Sequence, residues 1–562
     1  MNILGVSCFY HDSAVCLVRD GKIVSAASEE RFNRRKSSPL FPINAVNYCL
    51  QQADLTIKDI DIVGFYEKPF LKFYRVLLSH IRAYPFSFNN FYRTIPNWLE
   101  ERLLIPLILK KELCYEGEVL FIKHHLSHAA SSFLVSPFEE AAILTADGVG
   151  EWACTSFGIG KGSDIRMIKE SHFPNSLGLF YSAITTYLGF AALTGEGKVM
   201  GLAAYGDPCY LDKLREMVVV RPDGSFMVDQ SYFGFNKGGR MYSRKLVKAL
   251  GKERGSQDKV EQRHYDIAAS LQKLTEDTLI GMVNNFHNET GMDDLCLAGG
   301  LFLNCVANGK ILENTPVKQI FVQPAAGDSG GALGVAAYIY HSLLGNRRSE
   351  MLKNVYLGPE FSESAVKRAL INNNMVFRQY SEEELLKYVA RQIARDKIIG
   401  WFQGRMEFGP RALGNRSILA NPCNPRMKDL LNSRVKQRES FRPYAPAVLE
   451  ERAAEYFDIK QLSPFMLLAG RVKKEKADII PAVTHIDNTA RIQTVNKNTN
   501  RRFWGLIKEF ENITGVPVLI NTSFNLRGEP IVCGPEDAIS CFQRSRMDIL
   551  AIGNCVAEKE SV

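Results

Sequence analysis

Length, composition and charge exclude several classes of protein. The chain has 562 residues, 46% of them hydrophobic and 23% charged, and 69 Lys and Arg against 61 Asp and Glu give a net charge of +8. These are globular proportions, the length is too great for one core, and the small charge excess does not indicate a nucleic-acid partner. No apolar run approaches the roughly 20 residues of a membrane-spanning helix, and the start lacks a secretory signal pattern. Because the twelve cysteines form no Cys-x-x-Cys pair, we expect a cytoplasmic protein with reduced thiols.

The chain begins with a succession of elements that later recurs. A meander of three strands, then a helix and a strand, is predicted at 3–9, 14–19, 22–27, 43–52 and 60–66. The same succession is predicted at 141–146, 152–158, 165–170, 265–287 and 295–298. The repeat predicts two related α/β halves that face a cleft, the plan of actin-like and sugar-kinase-like ATPases.

Two segments depart from this pattern. Residues 67–118, rich in aromatic and basic side chains, are predicted as amphipathic helices that pack on their own domain rather than on a membrane. Residues 346–364 are polar, with Gly and Pro, and are interpreted as a linker between domains at 1–345 and 365–562. The second domain is predicted to be α/β, with a helix at 382–395 and strands at 398–402, 465–471, 491–495, 516–521 and 548–552.

Two histidines in FIKHHLSHAASSF are candidate metal ligands. His124 and His128 are four residues apart, so a helix that begins after the preceding strand places both on one face. Asp147 and Asp328 each follow an apolar strand, and α/β proteins place ligands at strand ends. Two imidazoles and two carboxylates with open positions fit a catalytic divalent metal better than a closed zinc site, and they accept iron, zinc or manganese. His125 lies off the shared face and is assigned a structural role.

Glycines at predicted strand–helix junctions favour a nucleotide cleft over ordinary turns. They occur in TGEGKVMG, in LAGGLFLNC and directly after Asp328. Glycine lets the backbone approach a phosphate, and a helix N-terminus directs amide donors at an anion. None of these motifs is a Walker A or Rossmann fingerprint. The residues assigned to a nucleotide are Gly195, Lys198, Gly299, Gly300 and Asn304.

The second domain carries many cations among Gly and Pro residues. Ordinary solvated faces pair such cations with acidic residues at i,i+4, and these loops lack that pairing. Arginine presents a planar fork of donors suited to phosphate and carboxylate oxygens. We therefore predict a pocket for a small, highly charged anion, with the candidates Arg405, Arg411, Arg416, Lys436, Arg438, Arg442, Arg491, Ser523, Asn525 and Arg527.

The motifs, in their order along the chain, resemble those of the O-carbamoyltransferases, the nodulation-factor and cephamycin type with relatives that act on aminoglycosides and alkaloid toxins. The resemblance rests on HDSA, EERF, HHLSHAASSF, DGVGEW, GEGKVMGLAAYG, LAGGLFLN, QPAAGDSGGALG, GRMEFGPRALGNRSI, FRPYAPAVL and PVLINTSFNLRGEPIV. It implies an α/β protein with an N-terminal actin-like ATPase domain, a duplicated ribonuclease H-like fold similar to the tRNA threonylcarbamoyl transferase. The C-terminal domain is implied to be YrdC-like.

The resemblance also implies a reaction in two stages. Carbamoyl phosphate and ATP, with Mg²⁺, form carbamoyl-adenylate in the C-terminal domain, and the carbamoyl group then passes to a hydroxyl of a small metabolite at an iron site in the N-terminal domain. By position, the iron ligands are His124, His128, Asp147 and Asp328. The residues near the acceptor are His11, Asp12 and Lys36, and those that bind carbamoyl phosphate and ATP are Arg411, Lys436, Arg442, Arg491 and Ser523. His11 is a candidate general base, and a hairpin hydrogen bond to Asp12 is the structural alternative.

Two other functions compete with this one. An RNA-modifying carbamoyl-type transferase that acts on tRNA needs a basic stripe beside the N-terminal cleft, whereas the strongest cation cluster is in the second domain. A nucleotide-gated interaction protein has no use for a metal set together with a second anion pocket. We expect a carbamoyltransferase of natural-product biosynthesis that acts on an antibiotic, toxin or oligosaccharide, without nucleic-acid or membrane partners and with a homodimer as the candidate assembly.

Overall fold

The computed structural model describes residues 1–221, 224–235, 239–348 and 350–559, and the chain divides into two compact units. The first unit comprises Met1–Glu29 and Pro39–Leu352, and the second comprises Glu30–Ser38 and Lys353–Val562. The linker expected at 346–364 includes Ser349, and the second domain expected at 365–562 includes 560–562; these residues lie outside the described ones. Residues 30–38 belong to the second unit, although the sequence assigned them to the first domain.

Two arginines hold the segment 30–38 in the second unit. In this segment helix α1 (Glu30–Asn33) carries Arg31, which is buried and donates to the carbonyl of Gly409 at 2.7 Å. Arg34 donates to the carbonyls of Pro530 at 2.9 Å and Ile531 at 2.6 Å. Because these partners are hundreds of residues away along the chain, the local sequence pattern carries no signal for this placement.

Two sheets of the same topology form the frame of the first unit. Sheet one contains β1 (Asn2–Ser7), β2 (Ala14–Arg19), β3 (Lys22–Ser28), β4 (Ile62–Phe65) and β5 (Glu118–Phe121), in the order β3-β2-β1-β4-β5. Sheet two contains β6 (Glu140–Ala146), β7 (Ala153–Lys161), β8 (Asp164–His172), β11 (Asp294–Ala298) and β12 (Gln319–Val322), in the order β8-β7-β6-β11-β12, while β9 (Val218–Val220) pairs with β10 (Phe226–Val228). In each sheet the first three strands form an antiparallel meander and the last two run parallel to the first. The predicted duplication, and with it the actin-like ATPase fold, is confirmed by this shared order.

The helices of the first unit connect and cover these sheets. They are α2 (Ile43–Gln52), α3 (Pro69–Arg82), α4 (Phe88–Glu100), α5 (Ile105–Leu113), α6 (His124–Phe133), α7 (Leu177–Tyr187), α8 (Glu196–Ala203), α9 (Leu211–Arg215), α10 (Arg244–Leu250), α11 (Gln262–Thr290), α12 (Cys305–Asn314) and α13 (Asp328–Ala337). Within the described parts of the chain, every helix falls short of the length and apolar character needed to cross a bilayer.

Helices α6 and α13 pack against each other at the centre of the first unit because glycines remove the side chains between them and the sheet. A Cβ at Gly334 of α13 would lie 1.9 Å from the carbonyl oxygen of Ser127 in α6. A Cβ at Gly5 of β1 would lie 1.9 Å from the carbonyl oxygen of Ala332. Helix α13 therefore contacts sheet one and α6 at backbone distance, which fixes the first turns of both helices.

The inserted helices follow the predicted orientation only in part. We expected the apolar stripes of residues 67–118 to face the domain, and α5 does bury Ile105, Leu109 and Leu113. Helix α3 instead buries Lys72, Arg75, Ser79 and His80. The buried ammonium of Lys72 pairs with the buried carboxylate of Glu67, which offsets part of the cost of removing these charges from water. Phe70, Leu71, Tyr74 and Ile81 of α3 are exposed, so the predicted orientation was wrong for α3.

The second unit is built on a mixed sheet with helices around it. Its strands are β13 (Arg378–Gln379), β14 (Ile399–Phe402), β15 (Arg416–Ala420), β16 (Ala445–Leu449), β17 (Phe457–Asp458), β18 (Leu468–Val472), β19 (Thr489–Val495), β20 (Val518–Ser523), β21 (Ile549–Ile552) and β22 (Cys555–Glu558), in the order β13-β22-β21-β14-β15-β20-β16-β19-β18-β17. Its other helices are α14 (Glu363–Asn372), α15 (Glu382–Ala394), α16 (Met427–Leu431), α17 (Ala453–Tyr456), α18 (Lys474–Ala477), α19 (Arg501–Thr514) and α20 (Pro535–Arg544). The predicted α/β class is confirmed, and the likeness to YrdC stays a prediction.

Candidate functional site

Equivalent positions of the two halves converge on one cluster in the first unit. Helix α6 follows the last strand of sheet one and carries His124 and His128, whereas Asp328 begins α13 after the last strand of sheet two. Asp147 follows β6, the first strand of sheet two, and His11 follows β1, the first strand of sheet one. The duplication thus brings groups from distant sequence positions to one point, as the sequence predicted for the four ligand candidates.

Four donor atoms of this cluster face a common point. The Nε2 atoms of His124 and His128 are 3.1 Å apart, and each lies 3.2 Å from Oδ2 of Asp147. Each also lies 3.6 Å from Oδ1 of Asp328. Ligands about 2.1 Å from a metal are about 3.0 to 3.4 Å apart in octahedral or tetrahedral geometry. The separations among His124, His128 and Asp147 fall within this range, and those to Asp328 exceed it by 0.2 Å, so the four atoms are close enough to surround one ion.

Burial and charge also fit a cation at this cluster. Among the described residues, Oδ1 of Asp328 is a buried acceptor without a hydrogen-bond donor, which is costly unless a cation satisfies it. Burial opposes the charge on His128, but the carboxylates of Asp147 and Asp328 outweigh it and raise the pKa of His128 to about 9. Burial likewise disfavours the Asp147 carboxylate, yet hydrogen bonds from His124 and His128 hold its pKa well below the ordinary value. The buried carboxylate of Asp328 and the half-buried carboxylate of Asp147, which both attract positive charge, fit a divalent metal.

Surrounding groups orient the four donors. Glu151 accepts hydrogen bonds from the backbone N–H of His124 at 3.0 Å and of Lys68 at 2.8 Å, which ties the start of α6 to the start of α3. The N–H of Gly148 donates to Oδ1 of Asp147 at 2.7 Å and leaves Oδ2 for the cluster. His125 is hydrogen-bonded to Thr145 at 2.7 Å, so its structural assignment agrees with the geometry. Motif reading had missed Glu151, because its partners are backbone groups.

His11 makes the hairpin contact with Asp12 that was the structural alternative, and it also lies beside Asp328; its role as a general base stays a prediction. Its Nδ1 lies 2.9 Å from Oδ2 of Asp12, and its Nε2 lies 3.6 Å from Oδ2 of Asp328. The Asp328 carboxylate therefore faces the cluster with one oxygen and His11 with the other. The hairpin contact with Asp12 fixes the ring in the position next to the cluster.

The glycine pair lies beside this cluster, whereas Asn304 has a structural role. A Cβ at Gly299, which has φ of +103°, would lie 2.2 Å from the carbonyl oxygen of Ala146, and one at Gly300 would lie 2.9 Å from Oδ1 of Asp147. The Asn304 side chain caps α12 and exchanges hydrogen bonds with Gln272 at 2.9 and 3.2 Å. These contacts give Asn304 a structural role, and its assignment to a nucleotide stays a prediction.

The second nucleotide motif begins helix α8. Gly195 is the residue before its first turn, and the ammonium of Lys198 lies 5.6 Å from the ring centre of Phe190. The assignment of Gly195 and Lys198 to a nucleotide stays a prediction.

The cations of the second unit surround one buried ammonium. Lys436 is 4% exposed, and its Nζ donates to Oδ1 of Asn525 at 2.8 Å, to the carbonyl of Asn525 at 3.0 Å and to the carbonyl of Ser523. Burial and the nearby charges of Arg438, Arg442 and Lys36 lower the pKa of Lys436 well below its ordinary value. Burial and Arg438 likewise lower the pKa of Arg442 to about 10, with a smaller contribution from Arg491. These cations outnumber the nearby carboxylate of Glu439, which lies 4.0 Å from Arg442. Such a group is suited to an anion, and the anion pocket stays a prediction.

Lys36 lies with these cations rather than in the first unit. It belongs to the segment 30–38 of the second unit, and its charge acts on Lys436. The assignment of Lys36 to the neighbourhood of His11 stays a prediction.

The remaining candidates of the second unit divide into two groups. Arg405 donates to the carbonyls of Leu357 and Gly358, and the fully buried Arg416 donates to the carbonyls of Gln403, Pro359 and Cys533. The prediction of Arg416 as an anion ligand was wrong, because backbone oxygens occupy all three nitrogens of its buried guanidinium. For the half-buried Arg405 it stays a prediction. The side chains of Arg411, Arg442 and Arg491 are half-buried. Arg438 stacks on Tyr444 with its guanidinium carbon 4.5 Å from the ring centre, and Arg527 donates to the carbonyl of Gln437 at 3.0 Å.

Comparison with known proteins identifies the family of the chain. The family models described as Carbamoyltransferase N-terminus and Carbamoyltransferase C-terminus match residues 2–337 and 390–559. The Nodulation protein NolNO of Sinorhizobium fredii is 38% identical over 98% of this chain and 80% of its own length, and the Uncharacterized protein sll1178 of Synechocystis sp. is 45% identical over 99% and 97%. Among solved structures, the ROK hexokinase of Thermus thermophilus has 13% identity and a TM-score of 0.32, over 62% of this chain and all of its own. The chain belongs to the carbamoyltransferase family, and the protein is a transferase enzyme.

Proposed function

We propose that the protein is an ATP-dependent O-carbamoyltransferase that makes carbamoyl-adenylate from carbamoyl phosphate and ATP and transfers the carbamoyl group to a hydroxyl of a small metabolite. One observation carries the proposal: the charged groups form two chemically different clusters, each inside its own unit and each within a region matched by a family model. The cations of the second unit suit the phosphates of the first stage. The cluster of the first unit suits the acyl transfer of the second stage.

The first stage is assigned to the cations around Lys436. Carbamoyl phosphate loses its phosphate to water, and an oxygen of the resulting carbamate attacks the α-phosphorus of ATP. A new bond forms between the carbamate oxygen and the α-phosphorus. The bond between the α-phosphorus and the oxygen that bridges to the β-phosphate breaks, and pyrophosphate leaves. Lys436, Arg442 and Arg491 would stabilise the charge that develops on the phosphoryl oxygens, where fixed cations lower the barrier most effectively.

The second stage is assigned to the cluster of the first unit. The acceptor hydroxyl oxygen attacks the carbamoyl carbon, AMP leaves, and the hydroxyl proton must be taken up. His11 is our candidate base because its ring is held by Asp12 next to the cluster, within reach of a group bound there. The glycine pair Gly299 and Gly300 lets a phosphate approach the backbone beside Asp147.

A divalent metal is the cofactor that His124, His128, Asp147 and Asp328 would hold. When bound, such an ion supplies a fixed positive charge that polarises a carbonyl or orients nucleotide phosphates. Iron is assigned from the family resemblance, since two nitrogen and two oxygen donors also accept zinc or manganese. Mg²⁺ is assigned to ATP on the same ground.

The proposal is tested by separating the two stages. Purified protein is incubated with ATP and carbamoyl phosphate, and pyrophosphate release is measured. A panel of amino sugars, macrocycles and guanidinium alkaloids then serves as acceptors, and mass spectrometry looks for the mass of one carbamoyl group. We expect Lys436→Met to lose pyrophosphate release, and His128→Ala to keep it while losing transfer.

The matched control is Lys387→Met, which removes an exposed lysine paired with Glu383 on α15. This control should behave as the unaltered protein in both assays. If pyrophosphate release in Lys436→Met equals that of the control, or if His128→Ala abolishes both stages together, the assignment of the stages to separate clusters is refuted.

A further inference from the structure

Helices α3 and α4 expose basic side chains. Between Pro69 and Leu99 the sequence contains Lys72, Arg75, Arg82 and Arg93 but neither Asp nor Glu, and Glu100 is the last residue of α4. Lys72 and Arg75 are buried, so the exposed cations of this stretch are Arg82 and Arg93. Exposed cations of this kind attract an anionic surface.

Helix α3 has its polar side inward and its apolar side outward. Its buried members include Lys72, Arg75 and His80. Lys72 pairs with Glu67, and the guanidinium carbon of Arg75 lies 5.2 Å from the ring centre of Phe173. Surface helices of globular proteins have the opposite polarity. The outward face of α3 is therefore apolar for a reason other than packing within this unit.

Helix α4 extends the same apolar surface. Within the described chain, α4 has no buried residue, although it contacts α3 through the rings of Phe73 and Trp98, 5.8 Å apart. The exposed apolar side chains of this part of the chain include Phe70, Tyr74, Ile81, Tyr84, Phe88 and Tyr92, with exposures from 54% to 74%. We call these six residues the aromatic face. A contiguous exposed surface of this kind marks an interaction site.

We propose that the aromatic face docks on the surface of an anionic lipid bilayer. Tyrosine and phenylalanine rings insert at the level of the headgroups, and Arg82 and Arg93, which are exposed beside them, attract anionic lipids. The charge of the segment complements such a surface and opposes an isologous contact between two copies. The protein would bind at the bilayer surface without crossing it, because α3 and α4 have 14 and 13 residues, too few to span a bilayer.

The docking surface is linked to the cluster of the first unit. The N–H of Lys68, at the start of α3, and the N–H of His124, at the start of α6, both donate to the carboxylate of Glu151. A protein docked through the aromatic face therefore holds this cluster close to the lipid surface. The inference is independent of the proposed chemistry, since it uses only the polarity and charge of the inserted helices.

The test is sedimentation of the full-length protein with phosphatidylcholine vesicles that contain or lack phosphatidylglycerol. We expect binding to the anionic vesicles only, weakened by added salt. Removing a cation near such a surface costs about fivefold in partitioning, so Arg82→Gln with Arg93→Gln should reduce binding about 25-fold. Tyr84→Ser with Phe88→Ser and Tyr92→Ser should abolish it.

The control is Ile371→Ser with Val376→Ser, which removes two exposed apolar side chains of the second unit, 62% and 88% exposed. It should bind vesicles as the unaltered protein does, and circular dichroism and pyrophosphate release should show that each variant is folded. The proposal is overturned if folded, unaltered protein does not sediment with anionic vesicles, or if the control and the aromatic variant lose binding equally. It is also overturned if the aromatic variant changes only self-association, measured by light scattering, because a second copy would then cover this face.

Discussion

Binding of a dianion to the second unit should be accompanied by proton uptake at Lys436. In the free protein, burial and the cations Arg438, Arg442 and Lys36 lower the pKa of this lysine well below its ordinary value. A bound dianion favours the charged form of Lys436. At a pH above the lowered pKa, up to one proton therefore enters the complex for each anion bound.

The expected size of this effect follows from the burial of Lys436. A unit charge about 4 Å from the ammonium contributes about 4 kcal/mol at an effective dielectric constant of about 20, which corresponds to about three pKa units. A shift of this size returns the pKa of Lys436 toward the ordinary lysine value of about 10.4. Between the lowered and the restored pKa, affinity for the anion should therefore fall as pH rises, by up to about tenfold per pH unit.

The assay is isothermal titration of sulfate in buffers with different ionisation enthalpies. Sulfate is chosen because it stays dianionic over the range, so that only protein groups exchange protons. Measurements below pH 9 also keep Arg442 mainly charged, since its pKa is about 10. The number of protons taken up is the slope of the observed enthalpy against the buffer enthalpy.

The variant Lys436→Met should bind sulfate more weakly and without proton uptake, whereas Lys387→Met should keep both. The reasoning is refuted if the unaltered protein takes up no proton at any pH in the range. It is also refuted if Lys436→Met retains the uptake, because another group would then be its source.

Three further predictions concern the cluster and the packing around it. His128→Ala should lose most of the bound metal by elemental analysis, because it removes one of four converging donors, whereas the exposed His172→Ala should keep it; equal metal content would contradict the ligand assignment. Arg416→Met should lower the free energy of unfolding by about 3 kcal/mol or more in urea, because several buried carbonyls lose their donor, and a loss below about 0.5 kcal/mol, the scale of surface changes, would contradict this. Gly334→Ala should cost about 1 to 3 kcal/mol and lower metal content, because its Cβ would lie 1.9 Å from the carbonyl oxygen of Ser127. Its control is Gly281→Ala in α11, where no heavy atom lies within 4 Å, and equal destabilisation of both variants would argue against the packing explanation.

The duplicated fold and the four-donor cluster could be predicted from the sequence because they depend on local patterns and on strand-end positions. Strand and helix periodicities are local, and both halves retain them. The spacing of His124 and His128 is local as well, and the strand-end positions of Asp147 and Asp328 follow from the topology. For His11 the sequence left two roles open; the hydrogen bond to Asp12 is present in the structure, and the role as a general base stays a prediction.

Other features depended on long-range contacts that no local pattern contains. The transfer of residues 30–38 to the second unit rests on carbonyl partners of Arg31 and Arg34 far along the chain. Arg416 resembled an anion ligand, but its partners are backbone oxygens. Periodicity located helix α3 but gave the wrong orientation, because a helical pattern states that two faces differ and not which of them is covered.

Because residues 30–38 belong to the second unit, splitting the gene into two fragments would separate these residues from their hydrogen-bond partners. A gene split at the boundary after Leu352 would give a C-terminal fragment without Arg31 and Arg34, whose donors serve Gly409, Pro530 and Ile531. An N-terminal fragment would carry that same stretch with nothing to receive it. The C-terminal fragment would therefore lack donors that its own carbonyl groups use, and residues 30–38 would have to be supplied to restore them.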